Sequence, residues 1–325
     1  MVHILVVHYS QTGQLTRVLR SLLGPLEINR DVRIDWREIR PIPPYAFPWR
    51  FLSFFDVLPE SVYQDPSPIE PCGIAPDAHY DLIVIGYQVW FLSPSLPIVA
   101  FLRSPEAKVL RDRPVITVVG CRNMWVTAHQ AMLGLLRNLG AHLVDNVVLT
   151  DEGPIWATFI TTPWWLLTGN KGPLMGILPE AGISAGSIRR SERFGHALNA
   201  ALGPGKTREG PFLRGLQAAT VQPLTLLAER IGYRSFRIWG RILRSVGKPG
   251  SGARKPVLAI YFVFLIAMIL IVLPFTATIL AIKARFSRKV QDEATALELP
   301  SGSGTERLAL FDHSLSPRVH EASPD

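Results

Sequence analysis

The chain has 325 residues, 48% of them hydrophobic, with 34 Lys and Arg against 26 Asp and Glu. Two cysteines exclude a disulfide framework and a zinc site of paired CxxC motifs, and 25 glycines with 27 prolines in no fixed period exclude collagen-like and solenoid arrays. The positive charge is local: residues 189–289 hold eighteen Lys and Arg and three acids, and the remainder is net acidic. Such a block serves nucleic acid or an anionic membrane face, and its neighbours decide which.

Val2–His8 reads as a buried strand. It lacks the basic n-region and cleavage site of an export signal, so none is expected there. Leu15–Leu23 has helical spacing, Val32–Glu38 alternates as a second strand, and residues 41–76 form a Pro- and aromatic-rich excursion. Asp81–Tyr87, Pro114–Gly120 and Val144–Leu149 are further apolar runs of strand length, separated by helices near Leu96–Leu102 and Thr127–Leu139. Strands buried on both faces that alternate with helices predict an α/β fold with a doubly wound parallel sheet. The helix owed after the fifth strand is found only at Ser191–Leu202, which makes 151–190 an insertion. The first domain is therefore expected to be complete at residue 202. Within the insertion, Ile155–Leu167 holds Trp156, Trp164 and Trp165 and suits a lid, a shallow membrane dip or a core-covering flap.

Residues 203–255 read as a basic connector. Arg230, Arg234, Arg237, Arg241 and Arg244 form one stripe of a helix, beside an apolar stripe of Leu227, Ile231, Ile238 and Ile242. A basic amphipathic helix of this kind lies on an anionic leaflet. Pro256–Ile282 then runs 27 residues without a charge, long enough to cross a bilayer as a transmembrane helix, with Pro274 tolerable inside it. More Lys and Arg precede this run than follow it, so the expectation is a single-pass anchor in the cytoplasmic membrane with the first domain on the cytoplasmic side. The span sets nucleic acid aside as a partner. Residues 283–325 read as a polar, disordered tail.

In such a sheet ligands collect at the carboxyl ends of the central strands, and three loops there have something to offer. Ser10, Gln11, Thr12, Gly13, Gln14 and Leu15 open a helix with hydroxyls and free N–H groups, which suits a phosphate monoester and equally suits a plain capping turn. No Walker lysine follows, and the G-x-G-x-x-G spacing is absent. Gln88, Val89, Trp90 and Phe91 place an aromatic pair at a strand end, as stacking on a flat ring or core packing would require. Asn123, Met124 and Trp125 follow the fourth strand beside Cys121. His129 is the nearest candidate for a catalytic base. The other histidines are scattered and suggest no metal site, and no G-x-S-x-G elbow for a serine nucleophile occurs.

A strand followed by S-Q-T-G-Q-L, then D-L-I-V-I-G-Y-Q-V-W-F with S-P-S-L-P behind it, resembles the flavodoxin-like FMN-binding family over residues 1–202 outside the two excursions. The resemblance implies a five-stranded parallel sheet of order 2-1-3-4-5 with FMN at its switch point. Residues 10–15 would then hold the phosphate, with residues 88–91 and 123–125 on the two rims of the isoalloxazine. More narrowly, V-V-H-Y-S-Q-T-G-Q-L, R-N-M-W and the apolar C-terminal extension are similar to dialkylresorcinol condensing enzymes. That likeness implies a membrane-tethered oxidoreductase that aromatises a dialkyl-cyclohexanedione supplied by a ketosynthase partner. A quinone reductase, or a non-catalytic electron-carrier or anchoring module of the same fold, remains the alternative.

Overall fold

The computed structural model describes residues 1–202 and 209–312. His313, His320 and the rest of the expected polar tail lie outside the described residues. Five parallel strands form the centre: β1 (Val2–His8), β2 (Val32–Glu38), β3 (Leu82–Trp90), β4 (Pro114–Cys121) and β5 (His142–Thr150), in the order β2-β1-β3-β4-β5. This is the flavodoxin-like order of the doubly wound sheet, with its switch point between β1 and β3. The segment Ser93–Pro94 folds back antiparallel on the end of β3.

The continuous apolar strand sequences are explained by cover on both faces. One face carries α1 (Gln14–Glu27), whose Val18, Leu19, Leu22 and Leu23 meet Ile4, Val6 and Val84. The first excursion supplies two short helices, α2 (Phe51–Asp56) and α3 (Leu58–Tyr63). The opposite face carries α4 (Leu96–Arg103) and α5 (Val126–Asn138), packed on Leu5, Val7, Ile83 and Ile85. The second excursion begins with α6 (Ile155–Thr168) and ends in α7 (Ala185–Arg190). The closing helix α8 (Glu192–Ala201) then lies beside α1 through Phe194, Ala197 and Leu198. Each fully buried Val, Leu or Ile contributes about 1.5–3 kcal/mol, which makes these two layers the main source of stability.

The core does not end at residue 202. Phe212, Leu213, Leu216 and Ala218 are buried in the α1–α8 layer. The backbone of Ala218 accepts a hydrogen bond from Val148 along the free edge of β5, and Gln217 and Ala219 donate in turn to Gly304 and Gly302. The Asp145 carboxylate, fully buried on β5, accepts from Phe212 N at 2.7 Å, Leu213 N at 3.2 Å and Ser301 Oγ at 2.7 Å. The expected boundary at 202 is thus too early, because an unpaired sheet edge draws in whatever backbone can satisfy it. The expectation of a disordered stretch from 283 also fails as far as residue 312. There α12 (Arg288–Leu297) buries Val290 and Ala294, and Glu298 accepts from Val221 N at 2.9 Å.

Between these closing segments lies a helical hairpin. α9 (Pro223–Val246) leaves the sheet, and α10 (Arg254–Ala267) returns beside it, continuing through a wide π turn at Met268–Val272 into α11 (Leu273–Phe286). Arg254–Val272 is long and apolar enough to cross a membrane. At 1.5 Å per residue the whole rod from Arg254 to Phe286 is about 50 Å long. Both of its ends are nevertheless fastened to the same α/β body. At the start, Arg254 is buried and pairs with Asp56 at 3.2 Å and Glu60 at 2.9 Å, on α2 and α3. At the finish, Arg230 pairs with Glu293, and Ser301 reaches Asp145.

Asp145→Ala is expected to cost about 2–4 kcal/mol, because two buried N–H groups lose their acceptor. Burial pushes the Asp145 carboxyl up to about 6. From about pH 4 to 6 the folded chain therefore keeps a proton that the unfolded chain has released, and stability falls as pH rises through that window. Urea titrations in detergent across pH 4–7 should show this slope in the native protein and a flatter one in Asp145→Asn.

Candidate functional site

The loops after β1, β3 and β4 converge at the switch point. In the first, Gly13 at φ +73° turns the chain into α1, a conformation that a side chain would strain. Ser10 Oγ accepts from Leu15 N at 3.1 Å and so caps the helix, while Gln11 N donates to the Gln88 side chain of the second loop at 3.1 Å. Gln14 faces the second excursion: its amide donates to Ile183 O at 3.0 Å and accepts from Ile183 N at 3.1 Å. The second loop is a two-residue hairpin turn whose central residues, Phe91 and Leu92, both have positive φ. Such turns favour Asn-Gly, so an aromatic-aliphatic pair there stores about 1–2 kcal/mol per residue. Strain of this kind collects at functional sites.

These loops form one end of a cavity of about 450 Å³. Its polar end is built from Gln11, Thr12, Gln14, Gln88, Gly120, Arg122 and Asp151. Val89, Trp90, Phe91 and Met124 flank it, and α6 covers it with Phe159, Thr162, Pro163, Trp165 and Leu166. From there an apolar arm runs between α9 and α10–α11, past Ile231, Phe236, Phe264, Leu265, Met268 and Ile269. Glu229 of α9 caps the start of α5 by accepting from Val126 and Thr127 N–H groups, which ties the arm to the third loop. Volume and a small polar end on a long apolar wall describe a small-molecule site.

Of the residues expected at the site, Gln11, Thr12, Gln14, Gln88, Val89, Trp90, Phe91 and Met124 line the cavity. Ser10, Gly13 and Leu15 shape it from behind, Leu15 as a core side chain. Trp125 is core as well, and Asn123 keeps a buried Oδ1 with no partner among the described residues. His129 does not line the cavity. It is buried on α5 against Trp125, ring centroids 5.5 Å apart, and burial pushes its pKa down to about 4. A neutral imidazole packed behind the wall is not the base that loop proximity suggested. The Cys121 thiol is pushed up by burial and is no nucleophile at neutral pH.

Arg122, the first residue of the R-N-M-W loop, is the positive charge of the cavity. It is half-buried, its guanidinium lies 4.1 Å from the Phe159 ring, and it makes no ion pair among the described residues. Burial pushes its pKa down to about 10, which leaves it protonated at neutral pH. The other lining charge, Asp151, is engaged: its carboxylate accepts from Gly153 N at 2.8 Å and Gly182 N at 2.6 Å. Gly182 itself has no room for a side chain, since a Cβ would sit 2.8 Å from both Gln14 and Trp165. The Asp151 charge favours protonated Arg122, but a half-buried cation with no ion pair among the described residues, beside an apolar wall, still favours an anionic ligand group. Trp49 and Phe54, from the first excursion, also line the cavity, and the run of aromatics at 45–55 was the available signal for them.

No family model matches the chain, and no curated protein matches it. Among solved structures, a flavoprotein from Lactobacillus acidophilus in complex with FMN is 21% identical, covering 46% of this chain and 93% of its own, with a TM-score of 0.34. A flavodoxin, WrbA-like protein from Agrobacterium tumefaciens is 11% identical over 62% of this chain and 97% of its own, with a TM-score of 0.34. A flavone reductase is 13% identical over 62% of each chain, with a TM-score of 0.32. Likenesses this remote assign no ligand, and the strand order stands on its own.

His129→Phe is expected to keep both fold and turnover, with an unshifted pH profile. A profile that loses a limb in the variant would return His129 to the chemistry.

Proposed function

We propose that the protein is an FMN-dependent oxidoreductase that acts, at the cytoplasmic face of a membrane, on a hydrophobic ring substrate. The observation that carries this reading is the continuity of one cavity, from the switch point of a 2-1-3-4-5 sheet into a long apolar arm. The residues present fit the cofactor. Thr12 and the first N–H groups of α1 would hold the phosphate, with neutral donors and the helix terminus in place of a lysine. Gly120 leaves the end of β4 bare, and Val89, Trp90 and Met124 would flank the ring.

Bound FMN would supply acceptance of a hydride equivalent from a ring C–H. The chain's own part is to orient the substrate, exclude water and hold charge. Trp49, Trp90 and Trp165 make the walls, and α6 lies over the polar end. Arg122 would pair with an oxyanion on the substrate ring. A cyclohexane-1,3-dione ionises readily, so it enters as an enolate and Arg122 needs no separate base beside it. Loss of a hydride equivalent from that enolate leaves a neutral cyclohexenedione, and transfer of its remaining ring proton from carbon to oxygen through water gives the dialkylresorcinol. The apolar arm would take an alkyl chain, and a ketosynthase would be the partner that makes the dione.

The test is purification in detergent followed by a visible spectrum. Bound-flavin bands support the reading, and a colourless protein indifferent to added FMN overturns it in favour of a non-catalytic module. Thr12→Ala with Gly13→Val is expected to weaken FMN by tenfold or more, at about 1.5–3 kcal/mol per hydrogen bond lost to a charged group. Arg122→Leu should keep FMN affinity and lower kcat/KM for an acidic dione about tenfold to a hundredfold. Equal rates in the two proteins would remove Arg122 from substrate binding.

A further inference from the structure

The outer face of the α10–α11 rod has no partner among the described residues. Ile260, Val263 and Leu270, then Phe275, Ile279 and Phe286, recur at helical spacing and stand exposed, Leu270 at 69% and Phe275 at 76%. On α6, Trp156, Ile160 and Trp164 form a second exposed stripe at intervals of four, on the helix that covers the polar end of the same cavity. The inner faces of both helices line that cavity, through Trp165 and Leu166 on one and Leu265 and Met268 on the other. A crossing helix delivers its two ends to opposite sides of a bilayer. Here Arg254 is clamped by Asp56 and Glu60, while Glu293 and Ser301 hold the far end to α9 and β5, all on one body.

We infer that α10–α11 docks in the plane of one anionic phospholipid leaflet, with the tryptophan stripe of α6 beside it, and that the cavity's ligand enters sideways from that leaflet. The charges fit this occupant. Lys255 and Lys283 close the two ends of the apolar face, and Arg234, Arg241 and Lys248 stand exposed on and just beyond α9. Tryptophan with basic residues at the edge of an apolar face is the composition of a membrane interface. Two arginines of the expected stripe are not available for lipid, since Arg230 pairs with Glu293 and Arg244 with Asp65. With the rod lying flat, its inner face becomes the partition between acyl chains and cavity. A ligand with a polar ring and an alkyl tail then moves from leaflet to arm without exposing its tail to water. The docking is independent of the redox reading, and the entry route rests on it.

The test uses the full-length protein in vesicles of phosphatidylcholine and phosphatidylglycerol. Single cysteines at Val263, Leu270, Ile279 and Phe286, on a Cys72→Ala, Cys121→Ala background, are spin-labelled and their immersion depth is measured by collision with oxygen and a nickel chelate. The expected result is one shallow depth for all four, about 5–10 Å below the headgroups. A depth that climbs to the bilayer centre at Leu270 and falls away toward Phe286 describes a crossing helix and overturns the inference. Leu270→Asp with Phe275→Asp, neither in the cavity wall, should lower vesicle binding about tenfold or more at unchanged flavin content. Unchanged binding, or a stable dimer formed in place of vesicle binding, also overturns it. In the same variant the rate on a long-chain dione should fall while that on a short-chain dione holds, and equal rates reject sideways entry. A wild-type protein without flavin fails the redox reading alone, and the depth profile still decides the docking.

Discussion

A buried arginine at the head of an apolar helix sets the course of everything after residue 246. The guanidinium of Arg254 has left water, and only the carboxylates of Asp56 and Glu60, with the carbonyl of Gly247, make that tolerable. Buried ion pairs add little net stability, but breaking one leaves a stranded charge, so they fix geometry strongly. Here the geometry is the direction of α10. The clamp turns it back along α9 and over the switch point, and the π turn at Met268–Val272 lets the rod continue to the far anchor at Asp145. Without that turn-back the cavity would have a polar end and no arm.

The sheet was legible because its signals are local. Four apolar runs of strand length and one alternating run, with helices between them, give the fold class, and their bounds agree with the strands to within a few residues. The exact match at Val2–His8 and Val32–Glu38 reflects flanking turns rich in Gly, Asn and charge. What stayed hidden depends on contacts far apart in sequence. Ser301 and Asp145 are 156 residues apart, and Arg254 and Glu60 are 194 apart. A charge-free run bounded by basic residues carries the same composition whether it crosses a bilayer or lies along a protein. Only the partners of its ends separate the two cases.

The site divides along the same line. Residues set by a strand end and the turn after it, such as Gln88, Trp90 and Met124, reach the cavity as their position implies. His129 fails because helix phase decides which way a side chain points, and on α5 that phase sends it into the core with Ala128 and Met132. Arg122 gains its weight only in the fold: a basic residue in a loop reads as solvated until α6 is seen to cover it. The aromatic-rich first excursion supplies both the cavity wall and the clamp, so the segment that looked like an interruption of the fold positions its ligand site.

The strap that closes the edge of β5 has a consequence for biogenesis. Gly302 and Gly304 pair with residues 217–219 and Ser301 holds Asp145, so the cover over β5 is incomplete until residues 301–304 have been made. A ribosome needs roughly 1–4 s to pass from the end of the apolar run to that strap. Throughout that interval the chain holds a long greasy helix and an edge layer still without residues 301–304. The leaflet docking proposed above would shield the first while the second waits for its cover, so the order of translation makes the time of that contact matter as well as its place.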